Sequence, residues 1–484
     1  MPHEKDRITS LDRVRSSRSL GHRSGLIASR TIELARKAKE LQLADDLEVV
    51  FPDKHLETAV RGELKKPGGS ITRGDLKRLG KLRAGGKRMS MWHMVRSENI
   101  SGLEHAVNLI SLDLFHNMIG DITPLASLTK LRTLRLGKNQ ISDISPLASL
   151  INLTELVLDN NQISDISLLA QFTNLTELPL SGNNISDVSP LASLTDLTSL
   201  ELDHNQISDV SPLESLTNLT TLRLGGNRIS DISLLASLTN LTELSLGVNN
   251  ISDIGPLASL NNLASLDLGW NQINDISPLA SLTNLKLLKL QGNEITDVSP
   301  LASLTNLSSL ELHRNQISDI SPLASLINLT SLVLDNNQIS DISPVAYLIN
   351  LVLVNARSNQ INDASPLTSL TNLEFLSLHG NQITDVCPMA SLTALIKLDL
   401  GYNQISDTSP LASLINLWEL RLDNNQISDI SPLASLIDLH SLYLRLNPLS
   451  QESINVHAPS LRTRRVHVEV NFDLYAPSPH DQTI

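Results

Sequence analysis

Four histidines, His116, His204, His313 and His379, stand near acids such as Asp203 and Asp335. These are the residue types of a general base and its orienting carboxylate. They recur in no spacing that sets a nucleophile beside a base, nor in the short spacings of a metal-ligand set. No catalytic residue, metal or cofactor is therefore expected, and the chain does not read as an enzyme. A second constellation is far more regular: aspartate stands every 22 residues in fifteen consecutive places, from Asp121 to Asp429. A column of carboxylates is a candidate calcium edge, but the spacing brings no two ligands together within one unit. The plainer chemistry, in which each carboxylate accepts N–H bonds from the turn that follows it, is the expected one.

The aspartates belong to a longer repeat. Sixteen asparagines recur at the same interval from Asn117 to Asn447. Numbered from its first leucine, a unit reads L-T-E-L-V-L-D-N-N-Q-I-S-D-I-S-L-L-A-Q-F-T-N from Leu153. This matches L-x-x-L-x-L-x-x-N-x-L, the signature of the leucine-rich repeat. Positions 1, 4, 6, 11, 14, 17 and 20 are almost always leucine, isoleucine or valine, too many for one unit to bury alone, so units must stack. Positions 1 to 7 alternate as a strand does, and successive strands should form a parallel sheet. Asparagine at position 9 both donates and accepts, so it can satisfy backbone groups where the strand turns out of the sheet. Proline at position 16, absent only where Leu168 and Leu234 replace it among the fifteen units, should open a short turn on the convex side. Two units break the pattern. Pro179 falls within a strand and lacks a ladder donor, and Val354 and Ala356 replace core leucines, which should loosen packing; each is either a bend that shapes a site or drift between repeats, drift being the favoured reading.

Aromatic residues make up 2% of the chain and Cys387 is its only cysteine, so the core is leucine and isoleucine and no intrachain disulfide exists. Residues 1–100 hold 22 of the 38 Lys+Arg and 13 of the 51 Asp+Glu, a basic head on an acidic array. The array should repel phosphates, and no aromatic-basic pattern accompanies the head, so nucleic acid is a poor partner. No apolar run has the length of a membrane span, and residues 1–24 show no signal-peptide core; on these grounds the chain reads as soluble and intracellular.

Four regions are expected. Residues 1–48 form a basic, largely disordered segment with a short helix near 28–42. Residues 49–108 form a helical cap, with Asp53 as N-cap, a capping box at Thr72–Asp75 opening a helix through Leu79, an imperfect first strand at Leu79–Leu82, and an inserted loop within 85–97. Residues 109–447 are sixteen repeat units. Residues 448–484 are a C-terminal cap, with a helix around 450–456 and a strand over 466–470, and a tail.

The phrase N-Q-I-S-D-I-S-P-L-A-S-L-T-N-L around Gln316, the entry F-P-D-K-H-L-E-T-A-V-R-G-E-L at Phe51–Leu64, and I-T-R-G-D-L and I-S-G-L-E-H-A-V-N-L after it resemble bacterial internalin-like leucine-rich-repeat proteins over about residues 49–470. The resemblance implies an α/β solenoid, a curved right-handed coil with a parallel sheet on its concave side, turns or 3₁₀ segments on the convex side and a helical N-terminal cap. It also implies protein recognition by the concave sheet and a secreted or surface location. The other reading is an intracellular regulatory scaffold resembling phosphatase-regulating leucine-rich-repeat proteins.

Positions 3, 5, 7 and 8 point away from the leucines and vary freely. Five aromatics lie there: Phe115, Trp270, Phe375, Tyr402 and Tyr443. The eight units from Leu109 carry Asp113, Glu155, Asp159, Glu177, Glu201, Asp203, Glu243 and Asp267 against Arg135, Lys138 and Arg223, whereas the later eight are balanced by Arg314, Arg357, Lys397, Arg421 and Arg445. Gly225-Gly226, Gly247-Val248, Gly269-Trp270 and Gly292 recur one unit apart, a floor without side chains beside Val248 and Trp270 into which an apolar side chain of a partner would fit. The expected partner-binding residues are Phe115, Glu155, Asp159, Glu177, Glu201, Asp203, Val248, Trp270, Arg314, Arg357, Phe375, Tyr402 and Tyr443.

Overall fold

The computed structural model describes residues 33–34, 36–88 and 94–470, divided into two compact units, 1–161 and 162–484. The disorder expected before the first helix, and the tail after 470, lie outside the described residues. Residues 33–34 and 36–45 are helical, and Leu34, Leu41 and Leu43 on that stretch are exposed.

In the first unit, α1 (Lys54–Leu64) starts at Asp53, whose carboxylate accepts the Leu56 N–H at 2.9 Å. Asp53 also accepts from the Ser97 hydroxyl and the Glu98 N–H, so one carboxylate ties the helix to the first repeat. The Thr72–Asp75 capping box forms reciprocally, but α2 spans only Arg73–Leu76. Strand β1 (Lys81–Arg83) pairs in parallel with β4 (Ser111–Asp113), which continues to β5 (Thr133–Arg135) and β6 (Glu155–Val157). The expected insertion carries an antiparallel pair, β2 (Lys87–Arg88) with β3 (Met94–Val95); residues 89–93 between them are outside the described set.

The second unit holds a fourteen-stranded parallel sheet from β7 (Glu177–Pro179) to β19 (Ser441–Tyr443) and β20 (His467–Glu469). Each repeat contributes one strand at its positions 3 to 5, in register with the same positions of its neighbours. Pro179 stands in the edge strand of this sheet, where a missing N–H is tolerated.

Packing follows from the seven apolar positions. In the unit that starts at Leu241, those positions (Leu241, Leu244, Leu246, Ile251, Ile254, Leu257 and Leu260) are at most 1% exposed. Fifteen of the sixteen units close with a 3₁₀ turn such as Ser277–Ser281, in which the Leu279 N–H donates to Ile276 O, and the last, from Leu439, runs into the C-terminal cap. The same turn forms over Ser167–Gln171 and Ser233–Ser237, which lack proline. Proline favours the turn without being needed for it.

Asparagine fastens one unit to the next. Asn271 Nδ2 donates to Leu268 O in its own unit and to Leu246 O in the preceding one, and its Oδ1 accepts from the Ile251 N–H, all at 3.0 Å. A second ladder runs along the turns: the Ser281 hydroxyl donates to Ala258 O, and the Asn306 amide to Thr283 O, each one unit back. The C-terminal end substitutes for the missing next unit. Arg464 donates to Ala434 O and Leu436 O, carbonyls at the open end of the last turn. Residues 451–452 are α-helical and a π-turn, Ser453–His457, carries the helix into α3 (Ala458–Thr463), so helical structure covers the expected 450–456 and runs on to Thr463.

Asn271→Ala leaves the Ile251 N–H and two carbonyls buried without this partner. It is expected to destabilise the second unit by about 3 kcal/mol, with the Ile251 amide losing hydrogen-exchange protection. Unchanged denaturant unfolding together with unchanged exchange at Ile251 would contradict the assignment. Leu244→Ala, which opens a cavity instead, should cost roughly 2–5 kcal/mol.

Candidate functional site

The varied face is built by a backbone feature absent from the leucine pattern. Position 8 is left-handed in all sixteen regular units: four glycines, Gly182, Gly226, Gly292 and Gly380, have φ of 65 to 68°, and twelve other residues have φ of 52 to 62°. Glycine and asparagine enter this region cheaply, and Asn160, Asn336 and Asn424 take it here. Val248 and Trp270, both at φ 57°, and Tyr402 at φ 55° do not belong to that group, and a β-branched residue at such an angle is an outlier. All three are about half exposed, at 55, 45 and 49%.

The first unit contains Phe115, Glu155 and Asp159. Phe115 is half-buried with the Lys138 ammonium 5.4 Å from its ring centre. Glu155 is held by Arg135 at 2.6 Å, and Asp159 accepts from Asn160 at 2.7 Å. A Cβ at Gly137 would fall 2.2 Å from Asp159 Oδ1 and 3.0 Å from the Phe115 ring, so that glycine lets the two side chains lie together.

In the second unit the glycine floor exists as a hollow of about 170 Å³ between Asp203, His204, Ser245, Val248, Asp267 and Trp270. It is more polar than the sequence suggests, with carboxylates on two sides and the apolar side chains of Val248 and Trp270 on the rim. Gly225 admits Asp203, whose Oδ1 would lie 3.0 Å from a Cβ there and accepts the Gly225 N–H at 2.7 Å. Arg314 stacks over Trp270 with its guanidinium 5.3 Å from the ring centre. Tyr402 lies against His379 at 4.8 Å, and Arg421 lies 4.7 Å over Tyr443. Glu177 and Glu201 stand at the ends of the first two strands of this sheet, Glu201 two residues before Asp203.

A larger groove, about 460 Å³, crosses the same face between Val333 and Arg421. Of the expected residues it contains Arg357 and Phe375. Val354, Lys397 and Arg421 were singled out in the sequence for other reasons, and sequence reasoning missed Leu353, Asn355 and Ser377. The available signal was two apolar residues, Leu353 and Phe375, at position 3 of adjacent units beside a shortened core residue. Trp418 and Tyr347, 44 and 66% exposed, were also passed over because they lie off the sheet face, at positions 2 and 19.

Electrostatics separate the two sides of the repeat. Each position-13 aspartate accepts the N–H two residues on, as Asp275 does from Ser277 at 2.8 Å. That bond holds its carboxyl below the usual aspartate range, and the column is accounted for by turn capping. On the sheet face the direction reverses: burial raises Asp203, Asp335 and Asp423 above that range. Asp399 is held low against its burial by the His379 ring at 3.3 Å. Ser377 precedes His379 by two residues on the same face, yet its hydroxyl has no hydrogen-bond partner, so no nucleophile-base-acid chain is assembled.

The family model described as Leucine Rich repeats (2 copies) matches overlapping segments from 107–149 to 393–433. An internalin, InlF, of Listeria monocytogenes is 35% identical and covers 82% of this chain and 97% of its own, with a TM-score of 0.51. The chain is an internalin-like leucine-rich-repeat protein. A leucine-rich-repeat protein of Leptospira interrogans is 26% identical over 78% of this chain and 99% of its own, with a TM-score of 0.70. The plant peptide hormone receptor RGFR1, solved in complex with RGF2, shares the fold at 21% identity, covering 83% of this chain and 81% of its own with a TM-score of 0.61. The search of curated proteins returned no match. Leucine-rich-repeat proteins are generally binding scaffolds for protein partners, and the internalin-like repeats here have the same strand-and-turn build. Among the described residues no helix is long and apolar enough to cross a membrane.

Because burial raises the folded-state pKa of Asp203, its ionised form opposes folding at neutral pH, and the penalty fades as pH falls toward the ordinary value of roughly 4. Asp203→Asn should therefore raise the melting temperature at pH 7, with a smaller gain at about pH 3.5, below the ordinary carboxylate value. An equal gain at both pH values, or a loss, would refute the burial argument.

Proposed function

We propose that this chain is a non-catalytic binding module that takes a protein partner on the varied face of its sheet, the concave face of an internalin-like solenoid. The observation that carries the reading is the set of Val248, Trp270 and Tyr402, held half-exposed at left-handed backbone angles. Such angles cost of order 1 kcal/mol or more at a bulky residue, and nothing in the repeat requires a ring or a branched side chain there. Glycine and asparagine occupy the same position elsewhere. Bulky anchors kept at a stability cost on an exposed, preorganised face are what binding hot spots are made of. Rings braced by Arg314 and Arg421 lose little further freedom when a partner arrives.

The acids support the same reading. Glu177, Glu201, Asp203 and Asp267 offer negative charge on the early strands of the second unit, and Glu155 and Asp159 do so in the first, which suits a basic patch on the partner mainly through encounter rate and orientation. A plant peptide hormone receptor of the same fold is solved in complex with RGF2.

The test is site-specific photo-cross-linking on native material. A photoreactive phenylalanine analogue at position 270 or 402 is expected to capture one and the same protein, while the analogue at position 275 on the turn side captures none. Trp270→Asn should abolish that capture at position 402 and leave the melting temperature unchanged or raised. Equal capture from position 275, or full capture by the Trp270→Asn variant, would sink the proposal.

A further inference from the structure

The glycine floor of the second unit gathers two carboxylates that the fold leaves without counter-charges. The strands around it are β8 (Ser199–Glu201), β9 (Thr221–Arg223), β10 (Glu243–Ser245), β11 (Ser265–Asp267) and β12 (Leu287–Lys289). Gly225, Gly247 and Gly269 follow β9, β10 and β11 at position 7, on the varied face, and side chains of neighbouring units lean in over their bare backbone. A Cβ at Gly225 would meet Asp203 Oδ1 at 3.0 Å, and one at Gly247 would meet Asp267 Oδ1 at 3.0 Å. One at Gly269 would meet Gln291 Nε2 at 2.3 Å. The three glycines therefore let Asp203, Asp267 and Gln291 close around one hollow of about 170 Å³.

Each carboxylate has one oxygen committed. Asp203 Oδ1 accepts the Gly225 N–H at 2.7 Å, and Asp267 Oδ1 accepts the Gly269 N–H at 3.0 Å. The second oxygen of each accepts no hydrogen bond, and neither acid lies within ion-pair distance of a basic side chain among the described residues. The neighbouring cations are directed elsewhere. Arg223 pairs with Glu243 at 2.6 Å, Lys289 with Glu311 at 3.9 Å, and the Arg314 guanidinium lies over Trp270. Burial is the largest influence on the Asp203 carboxyl and raises it; the Gly225 N–H, Arg223 and His204 offset this only in part, and the charge of Asp267 adds to it. A third acceptor, Gln291 Oε1, is cut off from water at the edge of the hollow and has no hydrogen-bond partner.

These groups select the occupant. An apolar side chain seated here would strip water from two carboxylates without replacing it, and an anion would be repelled. A metal ion would find too few ligands, since no three metal-binding side chains gather among the described residues. A lysine or arginine side chain supplies what is missing. Its ammonium or guanidinium offers several donors and no acceptor, its charge balances the carboxylates, and its methylene stem lies along apolar surface of the kind Val248 and Trp270 present at the rim.

We infer that the hollow seats one lysine or arginine side chain of the protein partner, with its charged head between Asp203 and Asp267. The inference rests on the reading of the varied face as the binding surface and adds the place and chemistry of one contact.

The experiment pans a displayed library of random linear peptides, about seven residues long, on the full chain. Selected peptides are then measured against Asp203→Asn, Asp267→Asn, Gly247→Ala, Glu214→Gln and Tyr402→Asn. Enriched peptides are expected to share a Lys or Arg, and panning on the Asp203→Asn/Asp267→Asn double variant should remove that bias. Either aspartate variant should lower affinity on the order of tenfold, as should Gly247→Ala, which fills the floor at a backbone angle open to alanine. Glu214→Gln removes the same charge on the turn side and should leave affinity unchanged, which separates a seat from general attraction to an acidic chain. A melting temperature held or raised in Asp203→Asn shows that its lost affinity is not lost fold. Peptides without a basic bias, basic peptides indifferent to both aspartates, equal loss with Glu214→Gln, or no enrichment over a bare surface would overturn the inference. Peptides indifferent to the hollow but lost with Tyr402→Asn would overturn it while leaving the face reading intact. Peptides indifferent to every variant on this face would count against both.

Discussion

The amide at the end of each strand closes three backbone groups that the outward turn would otherwise leave buried and unpaired, and the other features of the repeat are arranged around it. Asn271 reaches its own unit and the one before it at once. Because the same three bonds recur every 22 residues, the spacing between units is set by hydrogen-bond length and not only by leucine packing. Apolar side chains tolerate a few tenths of an ångström of slip, whereas a donor and an acceptor shared between neighbours do not. Strand register, the serine ladder along the turns and the constant left-handed bend at position 8 all follow from that spacing.

Once the spacing is fixed, the two surfaces of a unit take opposite roles. On the turn side every aspartate is stabilised by the N–H it caps, and the surface repeats with little variation. On the sheet face three aspartates are pushed up by burial, bulky residues occupy left-handed backbone, and polar atoms at Asn355 and Ser377 lack partners. A stable stack tolerates such local costs because each unit is supported by neighbours on both sides. Among the described residues these costs gather on the sheet face, the surface proposed above to bind a partner.

Much of this was legible in the sequence. The seven apolar positions, the asparagine ladder, the Asp53 and Thr72 caps and the turn-capping aspartates follow from period and residue chemistry, since each is a local rule repeated many times. The imperfect first strand and an insertion within 85–97 were visible as a break in the 22-residue count, but the antiparallel pair in that insertion was not. Less was legible of the site. Phe115, Trp270, Phe375, Tyr402 and Tyr443 were found because a ring has no role in a leucine core. The groove was not found, because Leu353 and Phe375 carry no signal one unit at a time and form an apolar wall only when paired across adjacent strands. The polarity of the hollow was missed for the same reason, because Asp203 and Asp267 reach into it from neighbouring units.

The sequence by itself determined the fold of each repeat, its strand, its turn and its core, because those depend on contacts between residues at fixed offsets within one unit or its neighbour. Only the tertiary structure decided which varied residues meet and which carboxylates are paired. Those are properties of side chains brought side by side across strands 22 residues apart, where no local periodicity constrains their identity and burial sets their charge.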